Sequence, residues 1–244
     1  FVQALARTRH PDVPPSWQGV GRDWGNAATG YPTGVLPPDA PRLAALASRM
    51  WALAGNTGLA SYGPADSLHS YLGADLAQNA LLAGRPAEAR ACLDALLDRS
   101  SSTLGQAEIF ARDGGGFGDN LPPHGTAAAT LVDLVRNMIV SDWRDTLEVG
   151  LGGALDWWSG TRLERAPTRF GRVTVALERP ATDRLHASWT AVAVPVRVRI
   201  PDGARAVRAL TPGTRLVDGR WLECPAGTTE AQIQIALEQT RGAR

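Results

Sequence analysis

Several marks of common function classes are missing from this 244-residue sequence. No apolar run approaches the roughly 20 residues that a membrane-spanning helix needs, so no membrane partner is expected. Only two cysteines are present, Cys92 and Cys224, with no Cys-x-x-Cys pair and no histidine nearby at ligand spacing. A cysteine-built zinc site is excluded on that ground, and no metal is expected. Cys92 falls in an apolar helical pattern and Cys224 just before a Pro and Gly turn, so both read as free thiols. An excess of one charge is also lacking: 25 basic residues stand against 24 acidic ones, a formal net charge of +1. No field draws in nucleic acid or an anionic surface. The first residue is Phe1 rather than Met, and no basic-then-apolar leader precedes the first structured stretch. The sequence therefore reads as part of a longer chain lacking its true start.

What is present is enough apolar material for a real core. The sequence is 44% hydrophobic and 20% charged, which suits one large or two modest globular domains. Between residues 40 and 140 the apolar residues recur at helical spacing, and the pattern predicts four helices. The first follows a Pro-rich entry, carries Leu43, Leu46, Met50 and Leu53, and stops at Gly55 and Asn56. Trp51 lies on the same helix and should be buried. The second runs from about Ser67 to Ala83. The third opens at Pro86 and continues through Cys92, Leu93, Leu96 and Leu97. The fourth follows His124 and Gly125, with Ala128, Leu131, Val132, Val135, Met138 and Ile139 on its apolar face. The first 40 residues, rich in Pro and Gly, read as a long loop around an opening helix.

Beyond Asp142 the period changes to two, which is the spacing of strands. Leu147, Val149 and Leu151 alternate, then Val173, Val175 and Leu177, then Leu185, Ala187 and Trp189. Val194, Val196, Val198 and Ile200 follow, and Ile233, Ile235 and Leu237 close the series. Pro and Gly turns between short strands point to a β-sandwich. The expected fold class is α+β: a helical domain over residues 1–142 and a small antiparallel β-sandwich over 143–244.

Polar chemistry is concentrated between the third and fourth helices, where residues 100–125 carry Glu108, Arg112, Asp113, Asp119, Asn120 and His124. A long loop returning to a strongly apolar helix belongs at one end of a helical bundle, where loops build sites on a rigid scaffold. Its Gly-rich centre lacks the Lys-Ser/Thr and the strand-then-helix context of a phosphate loop. No cofactor is therefore expected.

The order Gly-x-x-Glu, a Gly-rich turn, Asp-Asn-x-Pro-Pro-His-Gly, then an Ala-rich helix ending in Arg-Asn-Met resembles the late hairpins of six-hairpin (α/α)-barrel glycosidases. Residues 145–178 add to the likeness, with Pro167, Thr168, Arg169, Phe170 and Gly171 as the turn into the β domain. The resemblance covers roughly residues 17–200. It implies the C-terminal portion of an (α/α) toroid, a carbohydrate substrate, and a missing N-terminal half of the barrel as partner in the same polypeptide. It also implies general acid/base hydrolysis of a glycosidic bond, with Glu108 in the place of the general base.

That chemistry needs two carboxyl groups, ~6.5–9.5 Å apart for inversion or ~5 Å for retention. Only Glu108 is identifiable from the sequence, and the partner acid is expected outside this chain. Trp17, Trp24 and Tyr31 are candidates for stacking on a sugar ring. Asp66, His69, Arg112, Asp119, Asn120 and His124 are candidates for hydrogen bonding to it, against ordinary structural roles: a helix cap for Asp66 and for His124, an ion pair with Glu108 for Arg112, and turn chemistry for Asp119 and Asn120. A non-catalytic carbohydrate-binding or structural remnant of the same fold is the alternative reading. A phosphorylase, lyase or epimerase on the same barrel is a further one, since fold does not choose among sugar chemistries.

Overall fold

A computed structural model of the chain describes residues 2–23, 25–63, 67–114 and 122–238. The chain divides into two compact units, residues 1–135 and 136–244. It is an α+β protein, with helices in the first unit and mainly antiparallel sheets in the second.

The first unit opens with α1 (Val2–Arg7) and a 3-10 turn over Asn26–Thr29, followed by α2 (Pro41–Leu53). Pro41 suits the first turn of α2, whose own N–H has no intrahelical partner. Leu43, Leu46, Ala47 and Met50 form its buried stripe. Trp51 lies only partly buried against that core, a correction to full burial. After α2 the chain turns through Gly55 and Asn56, both at positive φ. Strand β1 (Leu68–His69) leads into α3 (Ser70–Leu82), and Gly84 separates α3 from α4 (Pro86–Asp98). Strand β2 (Ile109–Phe110) pairs antiparallel with β1, and α5 (Gly125–Ile139) closes the unit, which ends within this helix.

Helix α3 is the centre of this unit. Every residue of it is buried except Tyr71 and Asp75, which sit one turn apart. Helix α4 packs on it, and Ala89, Cys92, Leu93 and Leu96 are among the buried residues of α4. The loop at Gly58 approaches α4 so closely that a Cβ there would fall 2.4 Å from the Ala91 carbonyl oxygen.

Arginines of α2 hold the long N-terminal segment, Arg42 at Thr8 and Arg49 further along. From α2, Arg49 donates through Nε to Asp12 (2.6 Å) and through Nη1 and Nη2 to both oxygens of Asp23 (2.8 and 3.2 Å). Asp12 and Asp23 are buried. The hydrogen bond to Asp23 holds the guanidinium firmly protonated against the opposing effect of burial.

The second unit contains two five-stranded sheets. One contains β3 (Val140–Ser141), β4 (Leu147–Val149), β8 (Val196–Arg199), β10 (Arg215–Val217) and β11 (Trp221–Cys224), in the order β10-β11-β8-β4-β3. The other contains β5 (Ser159–Thr168), β6 (Gly171–Ala181), β7 (Arg184–Trp189), β9 (Ala204–Ala209) and β12 (Glu230–Leu237), in the order β5-β6-β7-β12-β9. The alternation in β7 and β12 puts Leu185, Ala187 and Trp189, and Ala231, Ile233 and Ile235, into the core. The first sheet departs from a purely antiparallel sandwich, because β4 runs parallel to β8, with Leu147 opposite Val196 and Val149 opposite Val198. Such pairing needs a long crossover, and residues 150–195 supply it while forming three strands of the other sheet. Both cysteines are buried free thiols, one in each unit.

Replacing Arg49 by Met should destabilise the protein by about 3–5 kcal/mol, because it leaves two buried carboxylates without their cation. Urea unfolding of wild type and Arg49→Met checks this. A difference below about 1 kcal/mol, the range of an exposed pair, would show that the clamp is not structural.

Candidate functional site

The backbone around Glu108 is pinned from two elements. Ser70, the first residue of α3, donates its N–H to the Glu108 carbonyl (3.1 Å) and its hydroxyl to the carbonyls of Ala107 (2.6 Å) and Glu108 (3.0 Å). On the other side, the His124 N–H donates to the Gln106 carbonyl at 2.7 Å. These bonds bring the start of α3 and the start of α5 to the same short segment. The Glu108 side chain is three-quarters shielded, and its Oε2 lies 3.8 Å from His124 Nε2.

The orientation of His124 follows from its other nitrogen. Nδ1 accepts a hydrogen bond from the Ala127 N–H at 3.3 Å, capping the first turn of α5. A neutral ring that accepts at Nδ1 carries its proton on Nε2, the atom facing Glu108. The Tyr71 ring stands 6.2 Å from that of His124. Burial, then the charge of Glu108, then that of Asp75 raise the Tyr71 hydroxyl above the usual phenol range and keep it a donor.

One turn further along α3, Asp75 is the only other residue of the helix left partly open. Burial first, and then the charge of Asp133 on α5, push its carboxyl up from 3.8 to about 7. The Tyr31 hydroxyl donates to Asp133 Oδ2 at 3.3 Å, and the Tyr31 N–H donates to Asn79 Oδ1 at 2.9 Å. Asn79 Nδ2 donates to the carbonyls of Asp75 and Ala27, both at 2.9 Å. Gly30 is what allows this approach, since a Cβ there would fall 1.9 Å from Asn79 Oδ1. Glu108, His124, Tyr71, Asp75, Asp133 and Tyr31 thus form a chain of neighbouring polar groups on the first unit.

The structure gathers some of the predicted residues and separates others. Glu108, His124 and Tyr31 join the group just described. Arg112 serves a different end: its Nη2 donates to the Leu53 carbonyl, Ser61 Oγ and the Gly63 carbonyl, tying the loop after α2 to the segment after β2. His69 is buried at 3% exposure on β1, with its ring 4.4 Å from that of Tyr62. Trp17 is half exposed and lines a cavity of about 270 Å³ with Leu5, Val13, Pro14 and Pro15, whose walls include neither Glu108 nor His124. Trp24, Asp66, Asp119 and Asn120 lie outside the described residues.

Asp75 and Asp133 were not anticipated. A signal for Asp75 did exist: it is a lone carboxylate inside the apolar run Leu72 to Leu82, four residues after Tyr71, and such an interruption of a buried helix calls for a reason. No group of His, Cys, Asp and Glu side chains suited to a metal ion occurs among the described residues, and none of their helices is long and apolar enough to cross a membrane.

No family model matches this chain, and no curated protein matches it. Among solved structures it is similar to a GH127 β-arabinofuranosidase, at 12% identity and a TM-score of 0.32, over 70% of this chain and 32% of that one. It is also similar to a GH127 β-L-arabinofuranosidase from Geobacillus stearothermophilus T6, at 11% identity and a TM-score of 0.38, over 91% of this chain and 48% of that one. The chain therefore spans about a third and about half of the length of these two proteins.

The raised carboxyl of Asp75 has a measurable consequence. Between about pH 4 and pH 7 the folded protein keeps a proton on Asp75 that the unfolded chain has lost, so stability falls as pH rises through that window. Thermal melts across it should show Asp75→Asn losing less stability with rising pH than wild type. Parallel pH profiles would mean that Asp75 titrates as an ordinary carboxylate.

Proposed function

We propose that this protein is a glycoside hydrolase-like protein, in which residues 1–142 are late hairpins of an (α/α) barrel and 143–244 a C-terminal β-sandwich. Its substrate is an oligosaccharide, and Glu108 is the proton acceptor. The observation that carries this reading is the setting of Glu108: a largely shielded carboxylate with its backbone held from α3 and α5, facing Nε2 of His124. A general base must be fixed and partly desolvated yet reachable from solvent, and Glu108 meets these conditions. The Gly-x-x-Glu and Pro-Pro-His-Gly motifs around it support the reading, because the two residues they contribute meet in space.

Glu108 takes a proton from the attacking water. His124, with its ring fixed by the Ala127 N–H, presents an N–H toward that carboxylate and holds charge on it. Tyr71 offers a hydroxyl that stays protonated beside Glu108. A hydroxyl donor next to a carboxylate acceptor suits the alternating donors and acceptors of a sugar edge.

A second reading, a sugar-binding protein without turnover, is favoured by Trp17, whose half-exposed indole lines an apolar cavity that contains no carboxylate. The two readings part on one substitution. Glu108→Gln should lower turnover of aryl glycosides by about 10²–10⁴-fold while sugar binding, followed by calorimetry, is retained. Unchanged turnover removes the general base, and sugar binding with no wild-type turnover supports the second reading.

A further inference from the structure

Hydrolysis of a glycosidic bond needs a proton donor as well as an acceptor, and the sequence shows no second carboxyl group at motif spacing. The structure offers one on α3, the helix whose first residue holds the Glu108 backbone. Along α3 only Tyr71 and Asp75 escape full burial, and these two side chains are the ones left partly open. Tyr71 is beside His124, and its hydroxyl feels the charges of both Glu108 and Asp75. The backbone below Asp75 is held as firmly as that below Glu108, since its carbonyl accepts from Asn79, which also fixes the Ala27 carbonyl and the Tyr31 N–H.

We propose that Asp75 is the second carboxyl group of this site and the proton donor to the leaving oxygen, paired with Glu108 across Tyr71. The proposal rests on the hydrolase reading above. As the bond between the anomeric carbon and the leaving oxygen breaks, the Asp75 proton passes to that oxygen. A water oxygen bonds to the anomeric carbon and gives its proton to Glu108. The two products together gain one water, and solvent returns the proton from Glu108 to Asp75.

The surroundings suit the task. A donor must hold its proton at neutral pH, and burial together with the neighbouring charge of Asp133 favours the protonated carboxyl. Asp133 itself accepts from the Tyr31 hydroxyl. The buried Cys92 thiol on α4 also feels Asp75 and stays protonated. The groups facing Asp75 are therefore Tyr71 on its own helix, Cys92 on α4, Asp133 on α5 with its Tyr31 partner, and Glu108 through Tyr71.

Leaving groups separate a donor from an acceptor. With phenyl and 2,4-dinitrophenyl glycosides of the common pentoses and hexoses, Asp75→Asn should lose about 10²–10⁴-fold in turnover of the phenyl substrates. It should lose far less on the dinitrophenyl ones, whose phenolate departs without a proton. Glu108→Gln should lose on both. If Glu108→Gln is inactive while Asp75→Asn loses equally on both or not at all, the donor assignment fails and the hydrolase reading stands. If wild type cleaves none of them, the hydrolase reading falls and the donor role with it. Carbon-detected carboxyl titration by NMR supplies a readout independent of turnover. The Asp75 midpoint should lie near neutral pH and fall in Asp133→Asn, as the removal of the neighbouring negative charge requires. An ordinary carboxylate midpoint, unmoved by that substitution, overturns the donor assignment.

Discussion

The first unit depends on the burial of α3. A helix enclosed on nearly all sides cannot leave polar groups unsatisfied, because each buried donor or acceptor without a partner costs about 1–3 kcal/mol. Four polar residues of α3 show how that constraint is met. Ser70 holds the backbone of residues 107 and 108, Asn79 holds the loop at residues 27–31, and Tyr71 and Asp75 occupy the strip left open. Structural enclosure and chemical exposure are thus two sides of one arrangement. The helix is rigid because it is buried, and the two groups it exposes inherit that rigidity.

The remaining polar work falls largely to arginine, for the sequence contains no lysine among its 25 basic residues. A guanidinium presents several donors in a fixed fork, whereas an ammonium is a point charge on a flexible stem. Arg49 uses that fork to hold two separate parts of the N-terminal loop. Arg112 gathers acceptors at residues 53, 61 and 63. Within the second unit, Arg169 reaches the carbonyls of Asp142 and Arg144, and Arg136 pairs with Asp142 while donating to the Pro167 carbonyl. Loops rich in Pro and Gly, which make few ladder hydrogen bonds of their own, gain fixed positions in this way.

The helices were legible because their apolar residues recur at helical spacing between strong punctuation. Pro41 and Pro86 open α2 and α4, and Gly55 and Gly84 close α2 and α3, close to where the pattern placed them. The same holds for β6, β7, β8 and β12, whose buried residues alternate. Strands β5, β9, β10 and β11 were not legible. Ser159–Thr168 is mostly exposed and carries Arg and Glu in place of an apolar alternation, and Ala204–Ala209 offers only small residues to mark its buried face. Edge and surface strands draw their order from neighbours on the ladder, and neighbours distant in sequence leave no local trace. The parallel pairing of β4 with β8 is of this kind.

The site divides along the same line. Sequence alone determined that Glu108 and His124 belong to one polar segment between two helices, since a long loop rich in charged and polar groups between apolar helices marks itself. It also determined the fold class, because the period of burial changes from helical to alternating near residue 140. Only the tertiary structure decided that Arg112 braces a loop while Tyr71 and Asp75 alone of α3 stay partly open, Tyr71 near His124 and Asp75 near Asp133. The physical reason is that periodicity reports which residues are buried, whereas the packing of α3 against α4 and the loops around it decides which two of its side chains escape.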